Sequence, residues 1–457
     1  MKQNRKPINL FEYSEYHFDE PLTGKIALLL NKRCSEINTH TKRDVLRPIH
    51  NNSNQTVGIK SFQYVGVISI HPTLTIQILP KMYNPREGED KWQQSIQNLL
   101  YMLNYCGKLL NTHTKSTQLK SLKGDFYEIL IYLYASTLLN ETRNSLHHEY
   151  ITQEQNLPYL KGKVLFSKHL LNNLTRQNLF YLKTDEFDPN NQLNRVFAYV
   201  SRQLYATTSN IKNRQLLSEL NLLLSEVAHG HISQNDANKI HINRMNERFR
   251  PALDLAKLFL SGSTLQLTSN TFKTATFLID MNNLFEDFIA KLVKQQADEN
   301  SIVYTQGPHE YLVTGEIVSE ESIPAKIFQM RPDITIANKL TNLNEHVIDT
   351  KYKILDNQQR KLGISQTDLY QMYAYSHKYK VKDITLLYPE QSDESIGEKS
   401  YVLDDTCTVH IRTINLNRDV RSHLANIKDE IRFIVKPPAM PPSSTLSEQP
   451  YAKPAAF

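Results

Sequence analysis

The 457-residue chain predicts a multidomain α+β protein with a β-rich front, a helical middle and an α/β region towards the C-terminus. Three observations carry this. Val65 to Ile70 and Leu74 to Leu79 alternate like strands around the turn His71-Pro72-Thr73. Leu193, Val196, Phe197, Val200 and Leu204 recur at helical spacing. Beyond residue 280 a helical stripe, two apolar strands, a second helix and the strand Ile384 to Tyr388 follow one another.

In chain order, residues 1–115 read as a small β domain, strand-rich in its second half. Residues 116–265 read as helical, with Asp188-Pro189-Asn190-Asn191 starting one helix and asparagine as its N-cap. Residues 266–435 give the α/β region. The tail 436–457, rich in proline and serine, is expected to be disordered. The pentapeptide Asn-Thr-His-Thr-Lys occurs at 38–42 and 111–115 without flanking similarity, so it is read as coincidence and not a repeat.

Composition bounds the function. Hydrophobic content of 40% with 22% charged residues is globular. A net charge of +6, from 53 basic and 47 acidic residues, leans only weakly towards a polyanion and would not by itself suggest DNA. Cys34, Cys106 and Cys407 are far apart and in no metal-ligand spacing, which suits a reducing compartment. The greasiest stretch, Phe126 to Leu139, is interrupted by Glu128, Ser136 and Thr137, so no membrane span is expected. Met1-Lys2-Gln3-Asn4-Arg5-Lys6 precedes no apolar segment, and a cytoplasmic location is expected. His147-His148 and His229-Gly230-His231 lack ligand spacing and are read as surface histidines.

The chemistry concentrates between residues 280 and 376. Ile327-Phe328-Gln329-Met330-Arg331-Pro332-Asp333-Ile334-Thr335-Ile336 reads as one strand, and His346-Val347-Ile348-Asp349-Thr350-Lys351-Tyr352-Lys353-Ile354 as the next, joined into a hairpin by a polar turn. Side chains alternate along a strand, so Asp349, Lys351 and Lys353 share one face while Ile348, Tyr352 and Ile354 share the other. One face is read as core and the other as charged. Taken alone, this also fits an edge strand whose lysines discourage aggregation. Asp333 points further, because a carboxylate between Met330 and Ile334 is costly to bury unpaired.

Two carboxylates and a lysine are the minimal kit for metal-dependent phosphodiester hydrolysis. Mg²⁺ takes oxygen ligands and usually holds one or two protein carboxylates, water and substrate phosphate. Asp333 and Asp349 supply the carboxylates. A lysine on the same face as Asp349 adds electrostatic stabilisation in the transition state. Upstream, Leu284, Phe285, Phe288, Ile289 and Leu292 form a helical stripe with Glu286 at its border, where it faces either a cleft or solvent. Downstream, Gln371 and Tyr375 share a helix face, where amide and phenol hold a lysine or a phosphate, or the tyrosines pack their rings.

The order Glu286, Asp333, Asp349-x-Lys351, Gln371-x-x-x-Tyr375 resembles the PD-(D/E)xK nuclease superfamily in its Q-x-x-x-Y branch. With Met281-Asn282-Asn283-Leu284-Phe285-Glu286-Asp287-Phe288, Met330-Arg331-Pro332-Asp333-Ile334, Ile348-Asp349-Thr350-Lys351-Tyr352 and the front segments Val65-Gly66-Val67-Ile68 and Leu74 to Lys81, the chain resembles the McrC nuclease subunits of McrBC-type restriction systems. The likeness covers most of the chain and is sharp between about residues 280 and 376. It implies a PD-(D/E)xK core and a catalytic set of Asp333, Asp349, Lys351, Gln371 and Tyr375. It also implies Mg²⁺ on Asp333, Asp349 and Glu286. The middle residue of Asp-Thr-Lys departs from the family, where alanine is frequent.

The resemblance further implies that this subunit cleaves double-stranded DNA with a partner, a McrB-like AAA+ GTPase hexamer that binds GTP and is stimulated by it. The front of the chain is then expected to dock into the channel of that ring, with Lys81 one candidate for a residue nearing the nucleotide and a solvated turn lysine the alternative. A P-loop requires a hydroxyl residue after its Gly-Lys pair. Gly24-Lys25-Ile26, Gly107-Lys108-Leu109 and Gly162-Lys163-Val164 all place an aliphatic residue there. Two alternatives stay open: a free-standing repair or recombination nuclease that needs no GTP, and a non-catalytic clamp for DNA or a partner.

Overall fold

Alternating apolar residues at 64–79 form a hairpin because each second side chain meets the same buried layer. The computed structural model describes residues 8–22, 24–71, 74–81, 89–107, 126–176, 178–263, 276–317, 323–324, 326–359, 361–390, 397, 399–403 and 407–435; the tail 436–457 and the turn residues 72–73 lie outside them. Two compact units result, Met1–Leu284 and Phe285–Phe457, divided within the helix Met281–Gln296.

In the first unit the strands are β1 (Ile8–Phe11), β2 (Glu15–Leu22), β3 (Leu46–His50), β4 (Thr56–Ser61), β5 (Tyr64–His71) and β6 (Leu74–Leu79). The first half of the front zone thus carries strands too, together with the helix Gly24–Thr41, where the expectation is strands mainly in the second half. Their alternation was hidden: β2 is mostly solvated, with the pattern Glu-Tyr-His-Phe-Asp-Glu. Leu30, Cys34 and Ile37 of the helix pack on Ile59, Ile68, Ile76 and Ile78. Lys81 stacks its ammonium over the Tyr13 ring, 4.3 Å from the centroid.

The middle zone is built on the helices Phe126–Asn144, Gln192–Thr207, Ile211–Leu223 and Arg250–Ser263. Asn191 caps Gln192–Thr207 by accepting from the Asn194 N–H, and Leu193, Val196, Phe197, Val200 and Leu204 are buried. Glu128 is a buried acid made tolerable by its donors, Thr208 Oγ1 at 2.6 Å, Ser209 N at 2.7 Å and Asn213 Nδ2 at 2.7 Å. The zone is not helical throughout. β7 (Glu149–Leu157), β8 (Lys163–Val164) and β9 (Phe180–Asp188) form an antiparallel sheet. Its covered face is largely polar, with Gln155 bonded to Gln153, Thr184 and Glu186, so no apolar period of two marked it. His147, expected at the surface, is buried with Nε2 at 3.0 Å from Glu149.

β10 (Thr276–Asp280) pairs antiparallel with β5, giving the sheet order β1-β6-β5-β10. This draws residues 276–280 into the front sheet, a pairing between positions some two hundred apart that no local pattern reveals. Gly66 makes room for it: a Cβ there would stand 1.9 Å from the Phe277 carbonyl oxygen.

The second unit holds β11 (Ser301–Thr305), β12 (Glu310–Val313), β13 (Glu316–Ile317), β14 (Ile323–Pro324), β15 (Ile327–Met330), β16 (Ile334–Asn338), β17 (Asn344–Thr350), β18 (Asp383–Glu390), β19 (Lys399–Leu403) and β20 (Cys407–Asn415). Six of them form one mixed sheet in the order β11-β16-β17-β18-β20-β19. β16 and β17 are the expected hairpin, antiparallel with Ile334 opposite Ile348. β17, β18 and β20 run parallel.

Two expectations change. The run 327–336 is two strands, because Arg331-Pro332-Asp333 interrupts it and β15 pairs with β12 outside the main sheet. The second strand ends at Thr350 rather than Ile354, and β17 is not half charged: Val347, Ile348 and Asp349 are all buried. A central strand covered on both faces has no solvent side to reveal. The helix Gln366–Tyr379 crosses from β17 to β18, capped by Ser365, and lays Met372, Tyr375 and Tyr379 on Val347, Ile384, Leu386 and Val409. Among the described residues no helix is long and apolar enough to cross a membrane.

Candidate active site

The carboxyl end of β17 is where backbone geometry gathers the charged groups. Asp349 is the penultimate residue of that strand, and extending the Ile334–Ile348 register by one residue sets Asp333 opposite it. The parallel crossover returns Gln366–Tyr379 past this end of the sheet, the usual place for a site in such topologies. Lys351 N donates to Leu387 O at 2.9 Å, which keeps the chain on the sheet one residue beyond the strand.

Asp333, Asp349, Lys351, Gln371 and Tyr375 meet here. Lys351 Nζ stands 2.6 Å from Asp349 Oδ2 and donates to Gln371 Oε1 at 3.1 Å. Gln371 Nε2 in turn donates to the Tyr375 hydroxyl at 2.8 Å. Amide and phenol therefore steer the ammonium instead of merely packing. Asp333 Oδ2 accepts from both the N–H and the hydroxyl of Thr350, each at 2.7 Å. Lys353, expected to share the face of Lys351, is drawn instead to Asp368 at 3.1 Å. Glu286 lies half-buried on the helix Met281–Gln296, accepting from Gln306 Nε2 at 2.7 Å, while Arg331 donates to the Gln306 side-chain oxygen Oε1.

Electrostatics sharpen the picture. Burial, then the neighbouring Asp333 charge, pushes Asp349 up to about 7. Burial also raises Asp333, opposed by the two Thr350 hydrogen bonds. Glu286 is pushed up to about 7, by burial first and Asp333 next. Burial pulls Lys351 down, but Asp349, Asp333 and Asp368 outweigh it and hold the ammonium above its ordinary range. All three carboxyls are raised first by burial, and the Asp333 charge adds to the shifts of Asp349 and Glu286.

These residues fit a divalent cation. Asp349 Oδ2 is fully buried with the Lys351 ammonium 2.6 Å away, and the Asp333 carboxylate lies near enough to raise its pKa. Two carboxylates sharing one ammonium are a donor set that a hard cation suits. The fit is to a pair of aspartates. Among the described residues no three His, Cys, Asp or Glu side chains gather closely enough to hold a metal, and Glu286 feels the Asp333 charge. One or two protein carboxylates are the usual share for Mg²⁺.

A pH dependence follows. A carboxyl with a raised folded pKa binds its proton more tightly folded than unfolded, so its contribution to stability falls as pH rises from about 4, the unperturbed value, to about 7. A cation that binds the ionised form opposes that loss. The increase in Tm on adding Mg²⁺ over EDTA is expected to be larger at pH 8 than at pH 5; equal increases would contradict it.

Sequence reasoning overlooked Gln306, which ties Glu286 to Arg331 from a loop with no local signal, and the hydroxyl of Thr350. The latter did leave a trace, as the departure at the middle of Asp-Thr-Lys.

The family profile described as McrBC 5-methylcytosine restriction system component matches residues 59–389, well over half of the chain. The chain belongs to this family. No curated protein sequence matches this McrBC component. A Thermococcus gammatolerans structure, a refined half-complex from a tetradecameric assembly of McrB AAA+ hexamers with bound McrC, is similar at TM-score 0.68 and 23% identity, over 93% of this chain and 98% of that one. At that identity it speaks for the fold. A cryo-EM structure of the McrBC complex from the same organism gives TM-score 0.49 and 26% identity over 64% of this chain and 89% of that one.

Proposed function

We propose that this chain is a Mg²⁺-dependent DNA endonuclease subunit with a PD-(D/E)xK core, which cleaves double-stranded DNA when assembled with a McrB-like AAA+ GTPase hexamer and stimulates its GTP hydrolysis. The observation that carries the reading is the convergence of Asp333, Asp349 and the Gln371-steered Lys351 at one end of β17. Membership of the McrBC family and the likeness to an assembly of McrB hexamers with bound McrC support the partner.

Asp333 and Asp349 would hold the cation, with Glu286 adding negative charge beside them. When bound, Mg²⁺ neutralises charge growing on the phosphoryl oxygens and lowers the pKa of bound water. Lys351 keeps its proton, as the surrounding carboxylates require, and so serves as a fixed positive charge towards the scissile phosphate or the attacking water. Gln371 and Tyr375 limit the arc through which that ammonium swings. Water attacks phosphorus in line and leaves a 3′ hydroxyl and a 5′ phosphate.

The test is DNA cleavage by the purified chain with Mg²⁺, alone and with the cognate GTPase and GTP. Cleavage only in the complete mixture is expected. Cleavage by the chain alone would make it a free-standing nuclease, and none under any condition would leave a clamp.

A further inference from the structure

We propose that Thr350 is a positioning residue that confines Asp333 to one-oxygen coordination and so tunes the site for a small octahedral cation over Ca²⁺. This rests on the cation reading above. The N–H and the hydroxyl of Thr350 both land on Oδ2 of Asp333, each at 2.7 Å. Gln306 N donates to the Asp333 carbonyl at 2.7 Å and fixes the backbone on the other side. Among the described residues no donor reaches Oδ1, so one oxygen of Asp333 is held by two donors and the other by none.

That asymmetry matters because the two cations differ in what they ask of a carboxylate. Mg²⁺ demands octahedral geometry at about 2.0–2.1 Å, whereas Ca²⁺ takes about six to eight oxygens, often with both oxygens of one carboxylate. An Asp333 clamped through Oδ2 suits the first and resists the second. The backbone donor comes with any residue but proline at position 350. The hydroxyl comes only with Thr or Ser, and Thr350 is itself nearly buried, so solvent does not readily replace it.

The experiment is displacement of Mn²⁺ from the full-length chain by Mg²⁺ and by Ca²⁺, followed by the EPR signal of free Mn²⁺. Thr350→Val deletes the hydroxyl and keeps the shape. It is expected to lower the preference for Mg²⁺ over Ca²⁺ by about tenfold or more, the scale of second-sphere changes at metal sites. Thr350→Ser is expected to restore the preference. Should Thr350→Val fold poorly, Thr350→Ala deletes the same group without a misplaced methyl. An unchanged preference, or an equal loss for both cations in the hydroxyl-free variant, overturns the proposal and leaves the nuclease reading standing. Mn²⁺ binding that is absent in the wild type, or unaffected by Asp349→Ala, overturns the cation site itself and this inference with it.

Discussion

Asp349→Ala is expected to lower DNA cleavage in the assembled complex by about 10³-fold or more, since loss of a single electrostatic contact to a transition state already costs about 10²–10³-fold. Asp349 is buried at the end of a central strand, with Oδ2 2.6 Å from the Lys351 ammonium. Its removal takes away one of the two carboxylates available to a cation. The fold should tolerate the change. The carboxylate is held at an unfavourable charge, pushed up to about 7 by burial and Asp333, so no strong native contact is sacrificed apart from the ion pair to Lys351. Single-turnover cleavage with cognate GTPase and GTP, alongside thermal unfolding, separates the outcomes. A well-folded variant that cuts at the wild-type rate would remove Asp349 from the chemistry.

The second large effect is at Lys351. Lys351→Met keeps the length of the side chain and deletes its charge, and is expected to slow cleavage by about 10²–10³-fold. Cation binding should survive, because both aspartates remain and a repelling positive charge has gone. Binding and rate thus part company at this position, whereas Asp349→Ala loses both. Mn²⁺ binding measured beside cleavage rate checks it, and a variant that loses binding and rate together would make Lys351 a structural partner of Asp349 only. Gln371 lies behind Lys351 at 3.1 Å and acts through it, so its amide shapes where the charge sits and not whether it is present.

How much of this was written in the residues depended on the range of the forces involved. The stripe Leu284, Phe285, Phe288, Ile289 and Leu292 became a fully buried helix face because its period is local. The asparagine cap at 191 and the hairpin of β16 with β17 were legible for the same reason. The pairing of β10 with β5, and the exposed sheet of β7, β8 and β9, were not. The first is a contact between distant segments, and the second covers polar residues such as Gln155 and Thr184, so hydrophobicity leaves no periodic mark. At the candidate site, the residue types and their order pointed to Asp333, Asp349, Lys351, Gln371 and Tyr375, and left open whether Gln371 and Tyr375 hold a lysine, hold a phosphate or only pack. That Gln371 would face Lys351 follows from the βαβ crossover. That Thr350 would grip Asp333 follows from β17 bringing the N–H and hydroxyl of one residue to the same oxygen.

Asp333 and Asp349 are proposed to converge on one divalent cation. Oxidative self-cleavage tests it most directly: Fe²⁺ is allowed to occupy the site of the full-length chain, ascorbate and peroxide are added, and the backbone cuts are mapped by mass spectrometry. Cuts clustered around residues 333 and 349, suppressed by excess Mg²⁺ and lost in Asp349→Ala, are the predicted result. Cuts confined to one of the two segments, or lying elsewhere and indifferent to Mg²⁺, would contradict it.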